Sequence, residues 1–441
     1  MYSIKRFILF FPLLFCSTTF FAQTVYDKEG NINKLFTNGK TQYIIRFEHF
    51  FNDTLYIPQG CELKFEGGKL SGPIVFNNTT LSGQVNLKGA SIKGKIRNKT
   101  FDASWLCAMD GETDDAASIN EMIEVCGHIF FPKGTYRLIS LFNPVGLIGK
   151  RYIRAVNSHI GIHRSDVILE GEAGTQFMTT DTMTTLCLYS KPNRIEKSIG
   201  NIEIKNIKFT VKNDGKHFYE FRHTIKTIGV NGLTIENCTF DDFLGDAICL
   251  SHYGDGPNTG ERSRNQNVKI LNNKIIGGKH HNTRNGISII NGKNVIVKGN
   301  TIKSTTRKDM PGAIDIEPNN SAFSMENIRV ENNYIEDVYG RGIAVFTRKA
   351  SPAHHIEILS NEIKNCLKCG IAVSIRTNNT ADSIIIKNNH VHGDTDPYLF
   401  RGNGKAKDWI ISDNSFERSI PQSIPGDIKV KNLIVRNNRK K

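Results

Sequence analysis

The sequence lacks a second long apolar segment, a dense cysteine framework, a compact basic motif and an abundance of aromatic residues. Beyond the first 22 positions no run is apolar for long enough to cross a bilayer, so an integral helical membrane protein is excluded. Nine cysteines are scattered along the chain, and Cys366 and Cys369 form the sole close pair. With no second pair beside them a structural zinc site is not expected, leaving interior thiols and at most one disulfide. Aromatic residues make up 9% of the chain, which weighs against a surface built only to stack sugar rings.

What is present begins with an export signal. Lys5 and Arg6 precede the apolar run Phe7 to Phe15, and Phe20-Phe21-Ala22-Gln23 follows as a cleavage region. This is the layout of a secretory signal peptide over residues 1–22, with the cut expected after Ala22, so a secreted or periplasmic protein is expected. The net charge is +14, or +12 without Lys5 and Arg6. Such a balance in an exported chain points to an anionic partner, and an acidic glycan is favoured over nucleic acid. The mature chain is expected to act as a monomer.

From residue 202 one pattern recurs: apolar-x-apolar-x-Asn-Asn-x-apolar. It reads Val268-Lys-Ile-Leu-Asn-Asn273-Lys-Ile275, then Val295 to Ile302, Ile328 to Ile335, Ile356 to Ile363 and Ile384 to Val391, and continues at Trp409 to Phe416 and Leu433 to Asn438. Earlier copies at Ile202 to Phe209 and Leu233 to Phe240 carry Ile207 and Cys238 in the last Asn column. From Asn273 to Asn438 that column advances by 27, 33, 28, 28, 25 and 24 residues. Such periods mark a solenoid, each copy reading as a strand with one buried face that only stacked neighbours can cover. Asn suits the turn because it tolerates left-handed backbone angles and can bond along a stack. A second strand is expected in each coil, placing Ile248, Ile287, Ile314, Ile343 and Ile371 in one inward row.

Upstream, Asp110 to Ile123 carries a helix start signal and apolar residues at helical spacing, and Gly127 to Tyr136 reads as a strand with a Pro-Lys-Gly turn. Together with the repeats this resembles the pectate-lyase-like superfamily. The resemblance implies an all-β, right-handed parallel β-helix over residues 106–441 whose open end is capped by an amphipathic helix. Residues 23–105, with short strands and Gly turns at Leu63 to Gly68, Leu70 to Gly72, Leu81 to Gly83 and Ile92 to Gly94, are expected to form a small N-terminal β-rich module.

The outward positions of the second strand are mostly small: Ala247, Gly286, Ala313, Gly342 and Gly370, then Cys249, Ser288, Asp315, Ala344 and Ala372. A third column reads Ser251, Ile290, Glu317, Phe346 and Ser374. This predicts an open, shallow floor from which Asp315 and Glu317 rise, about 6.5–7 Å apart at their Cα atoms. Acids at this spacing can hold a hard cation or divide acid and base roles; the bland alternative is two solvated surface acids. Around them Asp246, His252, Arg348, Lys349 and Arg376 are expected to contact substrate, with Arg284, Arg341 and His281 joining Asp315 and Glu317 in catalysis. Arginine grips carboxylate or sulfate bidentately.

Asn285 and Asp315-Ile-Glu317 resemble the calcium site of chondroitinase-B-like polysaccharide lyases. The resemblance implies calcium on Asn285, Asp315 and Glu317, neutralisation of a uronate, and β-elimination of a glycosaminoglycan such as chondroitin sulfate or hyaluronan, with Arg341 or Arg348 assisting the leaving oxygen. The family's base lysine is missing, since Pro318-Asn-Asn-Ser-Ala322 follows the pair; His281, Lys349 and Tyr253 are candidates in its place. A glycoside hydrolase using Asp315 and Glu317 is the rival, although the Gly-His-Gly of polygalacturonase-type enzymes is absent. A uronate epimerase and a non-catalytic glycan-binding solenoid complete the alternatives.

Overall fold

Strict alternation drives each repeat to turn one face inward, and the corner residues bend the chain before it can run on. In the computed structural model the segment expected as one strand is therefore two. Asn265–Leu271 ends where Asn272 takes a φ of 53°, and Lys274–Ile276 follows on a second sheet. The strand expected to come second is the third, Ile287–Ile289 in that coil. Among the described residues the coils build three parallel sheets of 12, 12 and 9 strands, most coils contributing one strand to each, stacked as a parallel β-helix. The structure describes residues 21–25, 35–144, 150, 153–180, 183–191, 198–211, 218–253, 261–278, 283–307, 309–319, 322–348, 351–393, 395–418 and 428–441. The signal-peptide reading thus falls largely outside them, and Phe21–Val25 pairs in parallel with Thr41–Ile45.

The corner between the first and second sheets is the most regular part. From Ile202–Lys205 to Val430–Arg436, two residues separate each first-sheet strand from its second-sheet successor. The first of the two has positive φ whether it is Asn206, Asn237, Asn272, Gly299, Asn332, Ser360, Asn388, Asp413 or Asn437. The second points inward and forms a ladder. Asn333 accepts from the Asn300 backbone N–H and side-chain amide (2.9 and 3.0 Å), and its own amide donates to the Val297 carbonyl and to Asn361 Oδ1, both at 2.9 Å. The ladder begins where Cys238 donates its backbone N–H to Asn273 Oδ1 (2.9 Å) and runs to Asn438.

Inside, the second sheet stacks Phe177, Phe209 and Phe240 in register, followed by Ile275, Ile302, Ile335, Ile363, Val391 and Phe416. Each such side chain contributes roughly 1.5–3 kcal/mol by leaving water. The helix Ala116–Val125 buries Ile119, Met122 and Ile123. Its Asn120 donates to the His159 carbonyl (2.8 Å) and accepts from the Gly161 N–H (3.0 Å), so the helix stands where an earlier coil would have added a strand beside Ser158–Ile162. No helix among the described residues is long and apolar enough to cross a membrane.

The chain divides into two compact units near residue 97, and Phe101–Asp102 pairs with Ile129–Phe130 in the first sheet. The N-terminal unit is itself built from parallel pairings. Gln42 pairs with Glu62 and Glu62 with Thr80, so its coils are short. All eight cysteines from Cys61 to Cys369 are buried and free; the single disulfide allowed by the sequence is not formed.

Candidate functional site

Third-sheet register aligns Cys249, Ser288, Asp315, Ala344, Ala372 and Leu399 in one row, as the columns predicted for the first five. The face they share is nevertheless not an open floor. Gly312–Ile316 is buried along its whole length, with Asp315 at 0% and Glu317 at 3% exposure. Cys249, Ile290 and Phe323 pack together over the row, and Val156, Cys187, Tyr189 and Ile228 do the same farther toward the N-terminus, joined by Phe142, Ile153 and Tyr253. Phe142, Ile153, Val156, Tyr253 and Phe323 come from the connections between strands, which carry no periodicity, and pack on strand residues such as Cys187 and Cys249. The two acids are therefore not solvated surface groups.

Beneath this cover lies a connected polar network. Arg284 donates to both oxygens of Asp246 (2.9 and 3.1 Å) and reaches Glu220 at 3.3 Å. Asp246 also accepts from the Asn285 backbone N–H (3.2 Å), and its Oδ2 lies 3.3 Å from His223 Nδ1. Both oxygens of Asp246, expected to contact substrate, bond within the protein and hold Arg284 in place. The Asn285 amide satisfies its neighbours when its nitrogen donates to the Gly312 carbonyl (2.9 Å) and its oxygen accepts from Ser288 Oγ (2.9 Å) and Arg284 Nη1 (3.1 Å). That oxygen then faces Asp315 Oδ2 at 3.3 Å, a contact between two acceptors that a proton on Asp315 turns into a hydrogen bond.

Electrostatics favours that proton. Burial, and then the neighbouring Glu317 charge, push the Asp315 carboxyl well above the usual carboxylate range, against the pull of Arg284. Its Oδ1 is buried without a hydrogen-bond partner. Burial also raises Glu317, but Arg348 opposes it, with Nε 2.6 Å from Glu317 Oε1. The environments of the two acids thus differ in kind: one is desolvated with no ion pair among the described residues, the other is charge-balanced. His223 is pushed down to about 3 by burial, which outweighs Asp246, so it is neutral.

The expected calcium ligands do not make a ready cradle. Arg284 already bonds the Asn285 amide oxygen and Arg348 the Glu317 carboxylate, whereas calcium takes six to eight oxygens. Two guanidinium groups stand where a cation's charge would be needed.

Next to Glu317 a pocket of about 190 Å³ is lined by Arg341, Arg348, Arg376 and Arg401, with Phe346 and Leu399 among its apolar walls and no acid in its lining. Arg341 lies over the Phe346 ring at 4.9 Å and donates to the Pro311 carbonyl (3.2 Å). Arg376 and Arg401 make no ion pair among the described residues, although the Arg376 charge is felt at Glu317. The sequence reading brought Arg341, Arg348 and Arg376 to this place but missed Arg401, which continues the third outward column by pairing with Ser374. It also missed His223 and Glu220, which lie outside any repeat. His252 is set apart, its ring 4.4 Å from Phe323 in the cover. Tyr253 bonds the Ser190 carbonyl and packs near Tyr189, four rungs or roughly 19 Å from Asp315 along the axis, too far to be its base. His281 and Lys349 lie outside the described residues.

No curated protein matches the chain. Among solved structures it is similar to the tailspike protein gp49 of Acinetobacter baumannii bacteriophage Fri1, a capsular polysaccharide depolymerase (13% identity, TM-score 0.46, 78% of this chain and 59% of that one). It is also similar to PfbA, a surface adhesin of Streptococcus pneumoniae (13%, 0.43, 91% and 83%). A third is an exopolygalacturonase from Thermotoga maritima (11%, 0.49, 77% and 92%). At these identities the likeness concerns the fold. Residues 198–418 match the right handed beta helix region, half of the chain, and the protein therefore belongs to that family.

Proposed function

We propose that this protein cleaves an anionic polysaccharide by acid–base chemistry at Asp315 and Glu317. The observation that carries the reading is the pair of buried acids, two residues apart at the end of one strand, of which Glu317 is paired with Arg348 and Asp315 has no ion pair among the described residues. Such a pair divides the roles of proton donor and charged partner. In hydrolysis, Asp315 gives its proton to the departing glycosidic oxygen, and Glu317 draws a proton from water or attacks the anomeric carbon. The four-arginine pocket supports an anionic sugar on the same groove.

Arg348 links the two. It both balances Glu317 and lines the pocket, so an arriving carboxylate or sulfate competes for it and frees the catalytic carboxylate. Calcium is not needed for charge neutralisation in this scheme.

β-Elimination is the second reading, favoured by the same arginines. They can neutralise a uronate carboxylate and so acidify the C5 proton; Glu317 would take that proton and Asp315 protonate the leaving oxygen. The test is a panel of uronate-containing and sulfated polysaccharides, glycosaminoglycans included, with reducing ends and ultraviolet absorbance measured on the same samples. New reducing ends without absorbance indicate hydrolysis, and absorbance indicates elimination. Failure on every anionic polymer, with wild type folded, refutes the proposal.

A further inference from the structure

A second cluster of chemistry-bearing side chains lies on the outer side of the second sheet, close to its C-terminal end. The strand His390–His392 turns Val391 inward and leaves both histidines on the outward face. Their ring centroids are 3.7 Å apart. Glu362 precedes His390 in the same row, one coil earlier, and Glu417 follows the strand Ser415–Phe416 one coil later.

The contacts are those of a prepared metal site. One ligand atom each from His390, His392 and Glu417 lies within 4.8 Å of the other two. His392 Nδ1 is 3.0 Å from Glu417 Oε1, close to the separation of about 3.3 Å between two ligands on one tetrahedral zinc ion. The other ring nitrogen of His392 lies 3.1 Å from Glu362 Oε1. That nitrogen makes no hydrogen bond in this arrangement; a carboxylate this close to a ligating imidazole can turn to accept from it and strengthen it as a donor. Glu417 is oriented as well, because its Oε2 accepts the Gly393 N–H at 2.7 Å. His390 Nε2 is buried without a hydrogen-bond partner.

We infer that His390, His392 and Glu417 bind a divalent transition metal, zinc foremost, with Glu362 as the supporting carboxylate behind His392. Two imidazoles and one carboxylate suit zinc and its neighbours in the first row, not calcium or magnesium. Two carboxylates balance the ion's charge. The metal would tie together three successive coils, since Glu362, the two histidines and Glu417 each come from a different one. Its role would be to fasten the C-terminal coils, independent of the chemistry at Asp315 and Glu317.

The test uses the whole chain, stripped of metal by a chelator. Zn²⁺ alone is titrated by calorimetry, and Co²⁺ is added separately for its visible spectrum. The expected result is one ion bound per chain, a cobalt spectrum of nitrogen and oxygen ligation, and a rise in Tm on zinc addition. His390→Gln and Glu417→Gln should each abolish these signals or weaken binding more than tenfold, while the metal-free Tm stays at the wild-type value. Glu362→Gln should weaken binding by about tenfold without abolishing it. Wild type that binds no zinc overturns the inference. So does unchanged binding in both ligand variants, which would place the ion elsewhere, for example on the thiols. Should His390→Gln fail to fold, Glu417→Gln, at a half-exposed position, decides by the same readings.

Discussion

Arg348 Nε lies 2.6 Å from Glu317 Oε1, and three further arginines, Arg341, Arg376 and Arg401, line the pocket that Arg348 shares. Two residues back on the strand, Asp315 has no such partner. The asymmetry gives each acid a separate fate on substitution. Asp315→Asn and Glu317→Gln should each lower kcat by about 10²–10⁴-fold with the fold intact, as checked by circular dichroism and by product release from the best anionic polymer. Wild-type rates in either variant would refute the assignment. Chelator-treated enzyme should keep its kcat.

The pocket arginines should act on binding more than on the chemical step. Arg376→Ala or Arg401→Ala is expected to raise KM by about 5–20-fold, the equivalent of roughly 1–2 kcal/mol for a charge-assisted contact, with kcat changed little. The effect should shrink at high salt. Equal losses on a neutral oligosaccharide would show that these side chains serve folding instead.

Buried titrating groups give the stability curve two limbs. His223 ordinarily titrates at 6.5 but is held at about 3 in the folded chain. The unfolded chain therefore binds a proton first as pH falls, and stability drops from 6.5 downward until about 3. Asp315 and Glu317 are raised above 3.8 and 4.5, so the folded chain holds their protons longer. Their contribution is complete below those values and is lost as pH rises through the folded pKa values. Urea midpoints across pH should show the acid limb flattened in His223→Gln and the rising-pH loss reduced in Asp315→Asn.

The corner ladder is the most sensitive structural element. Asn333→Ala removes acceptors from the Asn300 backbone and side chain and strands the Val297 carbonyl. Each buried group left unpaired costs about 1–3 kcal/mol, so a loss of several kcal/mol is expected in denaturant unfolding. Asn332→Gly, at the positive-φ position beside it, should be close to neutral.

The solenoid was legible because the interior ladder demands the same side chain at the same offset in every coil. The Asn273 to Asn438 column is that demand written in sequence. The inward Ile rows were legible for a similar reason. The break within each repeat was not, because Asn-Asn inside an alternating segment preserves the alternation on both sides of the bend. The apolar cover along the Cys187 to Cys249 part of the row was hidden for the opposite reason. Phe323, Phe142 and Ile153 belong to connections of unequal length, and nothing in their spacing tells which row they will shield. Arg401 could have been found by extending the Ser374 column one coil further; His223 offered no such signal.

The two-residue corner has a further consequence. Elsewhere in the coil the connections vary freely. The chain uses two residues between Val338 and Arg341 but ten between Ile276 and Ile287. A lengthened or shortened loop there never shifts the next coil's register, because the ladder resets it at every turn. The corner thus serves as a datum line for inheritance: new groove walls can be inserted or exchanged on one side of the spine while the stack behind them keeps its alignment. Diversity of specificity in such a chain is expected to accumulate in loop length, with the corner left untouched.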